Sequence, residues 1–247
     1  MHKLFWNVHG KSQDSSRDRD LRLTKSQNYG QCSAMKNIRL RLETPADQRK
    51  VEEITREAFW NLYVPGCDEH YLAHTLRQMP AFIAELDFVA ELGEKIVGNI
   101  MYARASIMTD DGWEHEVLTF GPVSVLPEYQ KQGIGSALIR HTLALARDLG
   151  HRVVLIYGDP DYYCRFGFVA AEGSGICGAE GWFSPALQAL ELAPGALQGI
   201  SGTFDEGEAY RIDPEAAAAF DLSFPPRARE EKPSHARYRE LLSQAHR

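Results

Sequence analysis

Hydrophobic positions along the chain switch repeatedly between two periods. Ile38, Leu40 and Leu42 alternate with polar residues, as in a half-buried strand. Thr44-Pro45-Ala46-Asp47 then reads as a helix start: Thr44 can cap, Pro45 suits the first helical position, and Asp47 favours the N-terminal dipole. Val51, Ile54, Ala58 and Leu62 recur every three or four residues and carry that helix to about Trp60, before Pro65-Gly66 breaks it. A second helix is predicted from about Asp68 to Met79, with Tyr71, Leu72, Leu76 and Met79 along it and Pro80 at its end. Residues 88–92 and 95–107 flank Gly93-Glu94 as a hairpin. After the Asp110-Asp111-Gly112 turn, residues 116–125 read as a strand with a local defect. There Pro122 cannot donate to a ladder and Gly121 marks a bulge.

A helix from about Gly133 to Leu149 follows, with Ile134, Leu138, Leu145 and Leu149 on its apolar side. Residues 152–157 form a short buried strand, and 160–166 a short helix or turn. Residues 170–186 are glycine-rich and irregular. Final strands are expected at 187–192 and 201–210. Asp213-Pro214 begins a small helix, and the charged, proline-bearing remainder from Phe224 reads as a loosely packed tail. This order predicts an α+β fold built on a mixed sheet.

Composition narrows the class. The 247 residues are 44% hydrophobic and 25% charged, an ordinary globular balance with room for one large domain. A net charge of -7 argues against a general nucleic-acid binder. No apolar run approaches the roughly 20 residues that span a bilayer, and Met1 to Gly10 lacks the apolar core of a secretory signal. Cys32, Cys67, Cys164 and Cys177 lack C-x-x-C spacing, so a zinc site is not expected, and free thiols suit a cytoplasmic protein. Residues 1–35 are polar and aperiodic and read as a disordered or non-native extension. Met35 is an alternative start.

Gln130-Lys131-Gln132-Gly133-Ile134-Gly135-Ser136 joins a strand to a helix. Its glycines let backbone amides approach an anion at the positive end of the helix dipole, and Lys131 adds charge. The same glycines also suit a plain tight turn. A dinucleotide fold is one alternative client. However, Leu138 stands where its third glycine belongs, and the connection from Val125 to Gly133 is long, although Asp159 sits near the place of its acidic residue.

The second stretch, Tyr157-Gly158-Asp159-Pro160-Asp161-Tyr162-Tyr163-Cys164-Arg165-Phe166-Gly167-Phe168, narrows the choice. With the Gln-x-x-Gly-x-Gly loop and Gly121-Pro122-Val123 before it, it resembles the GCN5-related N-acetyltransferase (GNAT) family, and its YhbS-like group in particular, over about residues 36–210. The resemblance implies a three-layer α+β fold, a twisted, mostly antiparallel mixed sheet flanked by helices. A V-shaped gap would part the 117–125 strand from the 152–157 strand. It implies acetyl-CoA as co-substrate, with the pyrophosphate on Gln130, Lys131, Gln132, Gly133, Ile134, Gly135 and Ser136. The pantetheine arm would pair along Val123, Ser124 and Val125, and the amide near Val123 would polarise the thioester carbonyl. Tyr163, four residues before Gly167, takes the place of the family's general acid, with Tyr162 beside the cofactor. Many relatives outside this group hold the cofactor with an Asn soon after the strand ending at Tyr157. Gly158-Asp159-Pro160 stands there, so that either Asp159 substitutes for the contact or the contact is absent.

These residue types suit the chemistry on their own terms. An amine attacking a thioester creates an oxyanion that needs fixed donors, and a phenol can protonate the departing thiolate. Tyr162-Tyr163 also suits aromatic packing under the sheet. Glu85, His115, Glu116 and the backbone near Leu118 are candidate bases, Glu116 foremost because its strand borders the gap. His70 and His74 stand at i,i+4 without a third ligand, so no metal is expected. Cys164 has no evident activating partner. Trp60, Tyr63 and Trp113 suit either a substrate pocket or core packing.

The chain is therefore expected to be an N-acetyltransferase moving acetyl from acetyl-CoA directly to a primary amine of a small molecule or protein. A non-catalytic acyl-CoA sensing module is the alternative. The expected organisation is an extension at 1–35, a catalytic domain at 36–212, and a C-terminal helix and charged tail at 213–247. Besides the amine, a second copy of the chain is a candidate partner. Nucleic acid and membrane are not.

Overall fold

The computed structural model describes residues 37–247. The polar stretch 1–34, with Cys32, and Met35 lie outside them. The chain order is β1 (Ile38–Leu42), α1 (Gln48–Phe59), α2 (Glu69–Leu76), β2 (Phe88–Leu92), β3 (Lys95–Met108), β4 (Glu114–Val125), α3 (Ile134–Asp148), β5 (Val153–Tyr157), α4 (Pro160–Tyr163), β6 (Val169–Ala170), β7 (Ile176–Cys177), β8 (Leu187–Glu191), β9 (Gly202–Asp205), α5 (Pro214–Asp221) and α6 (Ser234–Ser243). The predicted β1–α1–α2–hairpin–β4–α3–β5 order is present, with boundaries shifted by a few residues.

The nine strands among the described residues form one sheet with the path β1-β2-β3-β4-β5-β8-β6, while β9 pairs with β3 and β7. All pairings are antiparallel except β4–β5 and β7–β9. Successive side chains on a strand face opposite sides, which sorts the helices into layers. The Tyr102 hydroxyl meets Thr142 Oγ1 of α3 at 2.9 Å, so even-numbered β3 residues face α3. On the other side, Ser124 Oγ donates to Thr55 Oγ1 of α1 at 2.9 Å, and Leu72, Ala73 and Leu76 of α2 pack with Met101 and Ala103. The result is three layers: α3, the sheet, and α1 with α2.

Two irregularities shape the centre. In the β3–β4 ladder Ile100 pairs with Val123 and Tyr102 with Phe120, so Gly121 and Pro122 together face Met101 alone. This is the bulge expected from Gly121-Pro122. The parallel β4–β5 ladder has a single pair, Leu118 with Val154. Beyond it the two strands carry no ladder pair among the described residues, which opens the V-shaped gap.

The C-terminal region departs from expectation. The strand predicted at 201–210 is confined to Gly202–Asp205, and the stretch expected to be irregular at 170–186 holds the end of β6 and all of β7. The tail from Phe224 is not loosely packed. Trp60 Nε1 and Asn61 Nδ2 both donate to the Ala228 carbonyl (2.8 and 3.1 Å), His235 Nε2 lies 3.0 Å from the Asn61 carbonyl oxygen, and Leu241 is buried against Ala186. Its anchors are mostly polar and aromatic groups bonding to distant residues, so an apolar-periodicity reading passes over them.

Candidate active site

The end of β4, the 126–133 loop and the start of α3 enclose a cavity of about 340 Å³. Val123, Val125, Gln130, Lys131, Gly133, Ile134, Gly135, Ser136 and Tyr162 line it, together with Tyr129 and Arg165. The local cause is backbone geometry. Lys131 and Gly133 both adopt positive φ (61° and 89°), and Gly133 is the N-cap of α3. That turn presents the first α3 amides to the cavity. The first intrahelical acceptor is the Gly133 carbonyl, which receives the Ala137 amide at 2.9 Å. The preceding amides have no partner within the helix, and the helix dipole adds positive potential where they point.

The charge around this cavity opposes that of the whole chain. Although the net charge is -7, no carboxylate lines it, whereas Lys131 and Arg165 do. The Arg165 guanidinium lies 4.4 Å from the centre of the Tyr162 ring. The Tyr162 hydroxyl lies 3.4 Å from Ser136 Oγ. The site thus combines free amides, two cations and a narrow apolar floor, a set suited to an anionic phosphate group on a longer chain.

Tyr163 occupies the interior side of α4. It is 4% exposed, with ring centres of Phe120 on β4 and of Phe168 at 6.0 and 5.7 Å. Burial pushes its phenol well above the ordinary tyrosine value, with Tyr162 adding to the effect, so the hydroxyl stays protonated. Gly158 makes this placement feasible: a Cβ there would run into the Tyr163 ring. From the sequence, Gly158 stands out only as part of the Gly158-Asp159-Pro160 run after the strand, with nothing to mark its packing against Tyr163.

Other expected residues are distributed differently. The Ser124 side chain faces α1, away from the cavity. Gln132 lies outside the lining and donates to the Glu128 carbonyl at 3.0 Å, while Gln130 donates to the Val125 carbonyl at 3.0 Å. Asp159 is 6% exposed and does not line the cavity. Its carboxylate accepts the Asp161 amide at 3.0 Å as the cap of α4, and pairs with Arg237 of α6 at 3.3 Å. Glu116 stands near the far end of β4, opposite Ser106, exposed and 3.6 Å from Arg104. Seven residues, or about 20 Å of strand, part it from Val123. Trp113 is exposed at the β3–β4 turn, whereas Trp60 and Tyr63 are held beneath the C-terminal segment. No group of three potential metal ligands occurs among the described residues.

Comparison with known proteins bears on this geometry. The profile of the acetyltransferase (GNAT) domain matches residues 84–170, which span β2 to β6 and include the cavity. A Brucella melitensis GNAT family acetyltransferase, solved in complex with acetyl-CoA, is 30% identical over 70% of this chain and 97% of its own, with a TM-score of 0.57. The chain belongs to the GNAT acetyltransferase family.

Escherichia coli (strain K12) YhbS, described as an uncharacterized N-acetyltransferase, is 29% identical over 174 residues, or 69% of this chain and 97% of YhbS. The crystal structure of Escherichia coli YhbS with CoA superposes with a TM-score of 0.63 over 71% of this chain and 93% of that one. At 24% identity it speaks to the GNAT fold alone. The relatives are covered almost end to end, so the GNAT assignment concerns their whole length.

Proposed function

We propose that the chain transfers the acetyl group of acetyl-CoA directly to a primary amine of a small molecule or a protein. The observation that carries this reading is the junction of the cationic cradle with the splayed edge of β4 at Val123. There a phosphate-bearing thioester could lie with its acyl end directed into the gap between β4 and β5; Tyr163 does not line the cavity itself but lies behind Tyr162, their ring centres 5.1 Å apart. In this reading the amides from Gln130 to Ser136 hold the pyrophosphate and Lys131 and Arg165 screen its charge. Val123 and Val125 offer backbone to the pantetheine arm.

The chemistry follows from those placements. The amine nitrogen attacks the thioester carbonyl carbon, and the oxygen gathers negative charge that a fixed amide near Val123 stabilises. The C–S bond then breaks and the sulfur leaves as thiolate. A free thiol has a pKa near 8.5 and a buried phenol lies above 10, so transfer from Tyr163 needs the thiolate to share the same poorly solvated gap, which raises its basicity too. Burial gives Tyr163 the protonated form that an acid requires. No enzyme-bound acyl intermediate is needed. Cys164 is exposed, and its thiol lies 3.6 Å from the Asp161 carbonyl oxygen.

The catalytic unit is proposed to be residues 36–212, with 213–247 strapped across it. Its test is Tyr163→Phe. Acetyl-CoA affinity should persist while amine-dependent release of CoA falls by about 10²-fold or more. Unchanged turnover would remove Tyr163 as the acid. Acetyl-CoA binding with no amine acetylated by the unsubstituted chain would favour a sensing module.

A further inference from the structure

A second cavity, of about 320 Å³, lies on the face of the sheet opposite α3. Tyr157, Glu180, Asp205, Glu206, Tyr210 and Arg211 are among its lining residues. Its position relative to the gap follows from two contacts. Tyr157 ends β5, three residues past Val154, where β5 leaves β4. Tyr210 donates its hydroxyl to the Gly121 carbonyl at 3.0 Å, inside the β4 bulge and two residues from Val123. The two cavities therefore approach the same break in the sheet, one from each face.

Their charges are opposite. The α3-side cavity carries Lys131 and Arg165 and no carboxylate, whereas this one carries Glu180, Asp205 and Glu206. Its single cation, Arg211, is neutralised by Asp205 at 3.2 Å and by Glu208. Asp205 also accepts the Gly207 amide at 2.9 Å. Glu206 is different: half-buried, it has no hydrogen bond or ion pair with any described residue. Without a partner among the described residues, its carboxyl is open to a cationic group that enters the cavity.

We propose that Glu206 is the base that takes the proton of the acceptor, a cationic primary amine entering through this cavity. The inference rests on the acetyl-transfer reading above and adds its acceptor side. One proton passes from the ammonium to the Glu206 carboxylate and on to solvent. The freed lone pair forms the C–N bond, the C–S bond breaks, and the sulfur takes the Tyr163 proton. The second proton lost by nitrogen restores Tyr163 through solvent, so amide, free thiol and one released proton balance the reaction.

The surroundings support the assignment. Burial, with Asp205 beside it, pushes the Glu206 carboxyl up to about 8, and a base tuned near the working pH is the most effective one. The groups facing it are Asp205, Tyr210 and Arg211 on its own segment, Tyr157 on β5, and Glu180 on the 178–182 turn. Burial holds Tyr157 and Tyr210 protonated in this range.

The test measures CoA release from acetyl-CoA with spermidine, kanamycin and a lysine peptide, for the unsubstituted chain, Glu206→Gln and Glu206→Asp. Expected is a loss of about 10²- to 10⁴-fold in kcat/KM for Glu206→Gln, partial recovery in Glu206→Asp, and acetyl-CoA affinity within about twofold throughout. The rise of kcat/KM with pH towards about 8 should disappear in Glu206→Gln alone. Glu206→Gln retaining both rate and pH profile would overturn the base assignment and leave acetyl transfer standing. Failure of the unsubstituted chain on all three amines would overturn both.

Discussion

Gly158 and Tyr163 are packed so closely that no side chain fits between them: a Cβ on Gly158 would press on Cε2 and Cδ2 of the ring. The Gly158 backbone cannot easily retreat, because its amide donates to the Ala186 carbonyl at 2.8 Å. Gly158→Ala should therefore move the ring while the cradle stays intact. A displacement of about 1 Å at a reacting group costs on the order of 10²-fold in rate. Steady-state kinetics should show that loss in kcat, with acetyl-CoA affinity retained by calorimetry. Unaltered kcat would mean that the ring's position is not critical.

The two cradle glycines separate folding from binding. Gly133 at φ 89° sits where a Cβ costs about 1–2 kcal/mol, so Gly133→Ala should lower the melting temperature as well as affinity. A Cβ on Gly135 meets the Tyr162 hydroxyl and Val125 Cγ2 at 3.6 Å, ordinary van der Waals contact. Gly135→Ala should melt normally yet bind CoA about tenfold or more weakly, a cost of about 1.4 kcal/mol. Normal affinity in Gly135→Ala would show that the ligand does not approach this backbone.

His70 should make the fold acid-sensitive. It is fully buried, 5.1 and 5.5 Å from the Phe224 and Phe220 rings, with Nε2 3.1 Å from Asp221. Burial lowers its folded-state pKa from 6.5 to about 4. Between those values the unfolded chain binds more protons than the folded one. Stability therefore falls as pH drops from about 6.5 to 4, by up to about 3 kcal/mol. Melting curves should show this decline flattened in His70→Gln. Parallel declines would remove His70 as its source.

The C-terminal segment should contribute measurably to stability. Leu241 is 2% exposed, and its truncation to Ala should cost about 2–3 kcal/mol. Arg237→Ala should cost about 1 kcal/mol, because it leaves the buried Asp159 carboxylate with the α4 cap alone. Thermal melts of both variants test this. Unchanged melting would return 213–247 to a loosely attached tail.

What could be read from the sequence followed the range of its signals. Val51, Ile54 and Ala58, the Gly121-Pro122 break and the Gly133 and Gly135 loop act within a few residues, and each produced the expected element. The pairing of Asp159 with Arg237 spans 78 residues, beyond the reach of any local pattern. Glu116 lies on the gap strand, but a linear reading does not reveal that, among the described residues, β4 and β5 pair at Leu118 and Val154 alone, well short of Val123. Glu206 had no pattern to mark it. It lines the second cavity because the chain turns away after β9, which pairs with β3 and brings Phe204 to 5.9 Å from Tyr157.

The most direct measurement is product analysis by mass spectrometry after incubating the purified chain with acetyl-CoA and the three amines. The account predicts that at least one amine gains a single acetyl group with one equivalent of CoA released, and that Tyr163→Phe slows this by about 10²-fold. Bound acetyl-CoA with no acetylated amine, or equal rates with Tyr163→Phe, would contradict it.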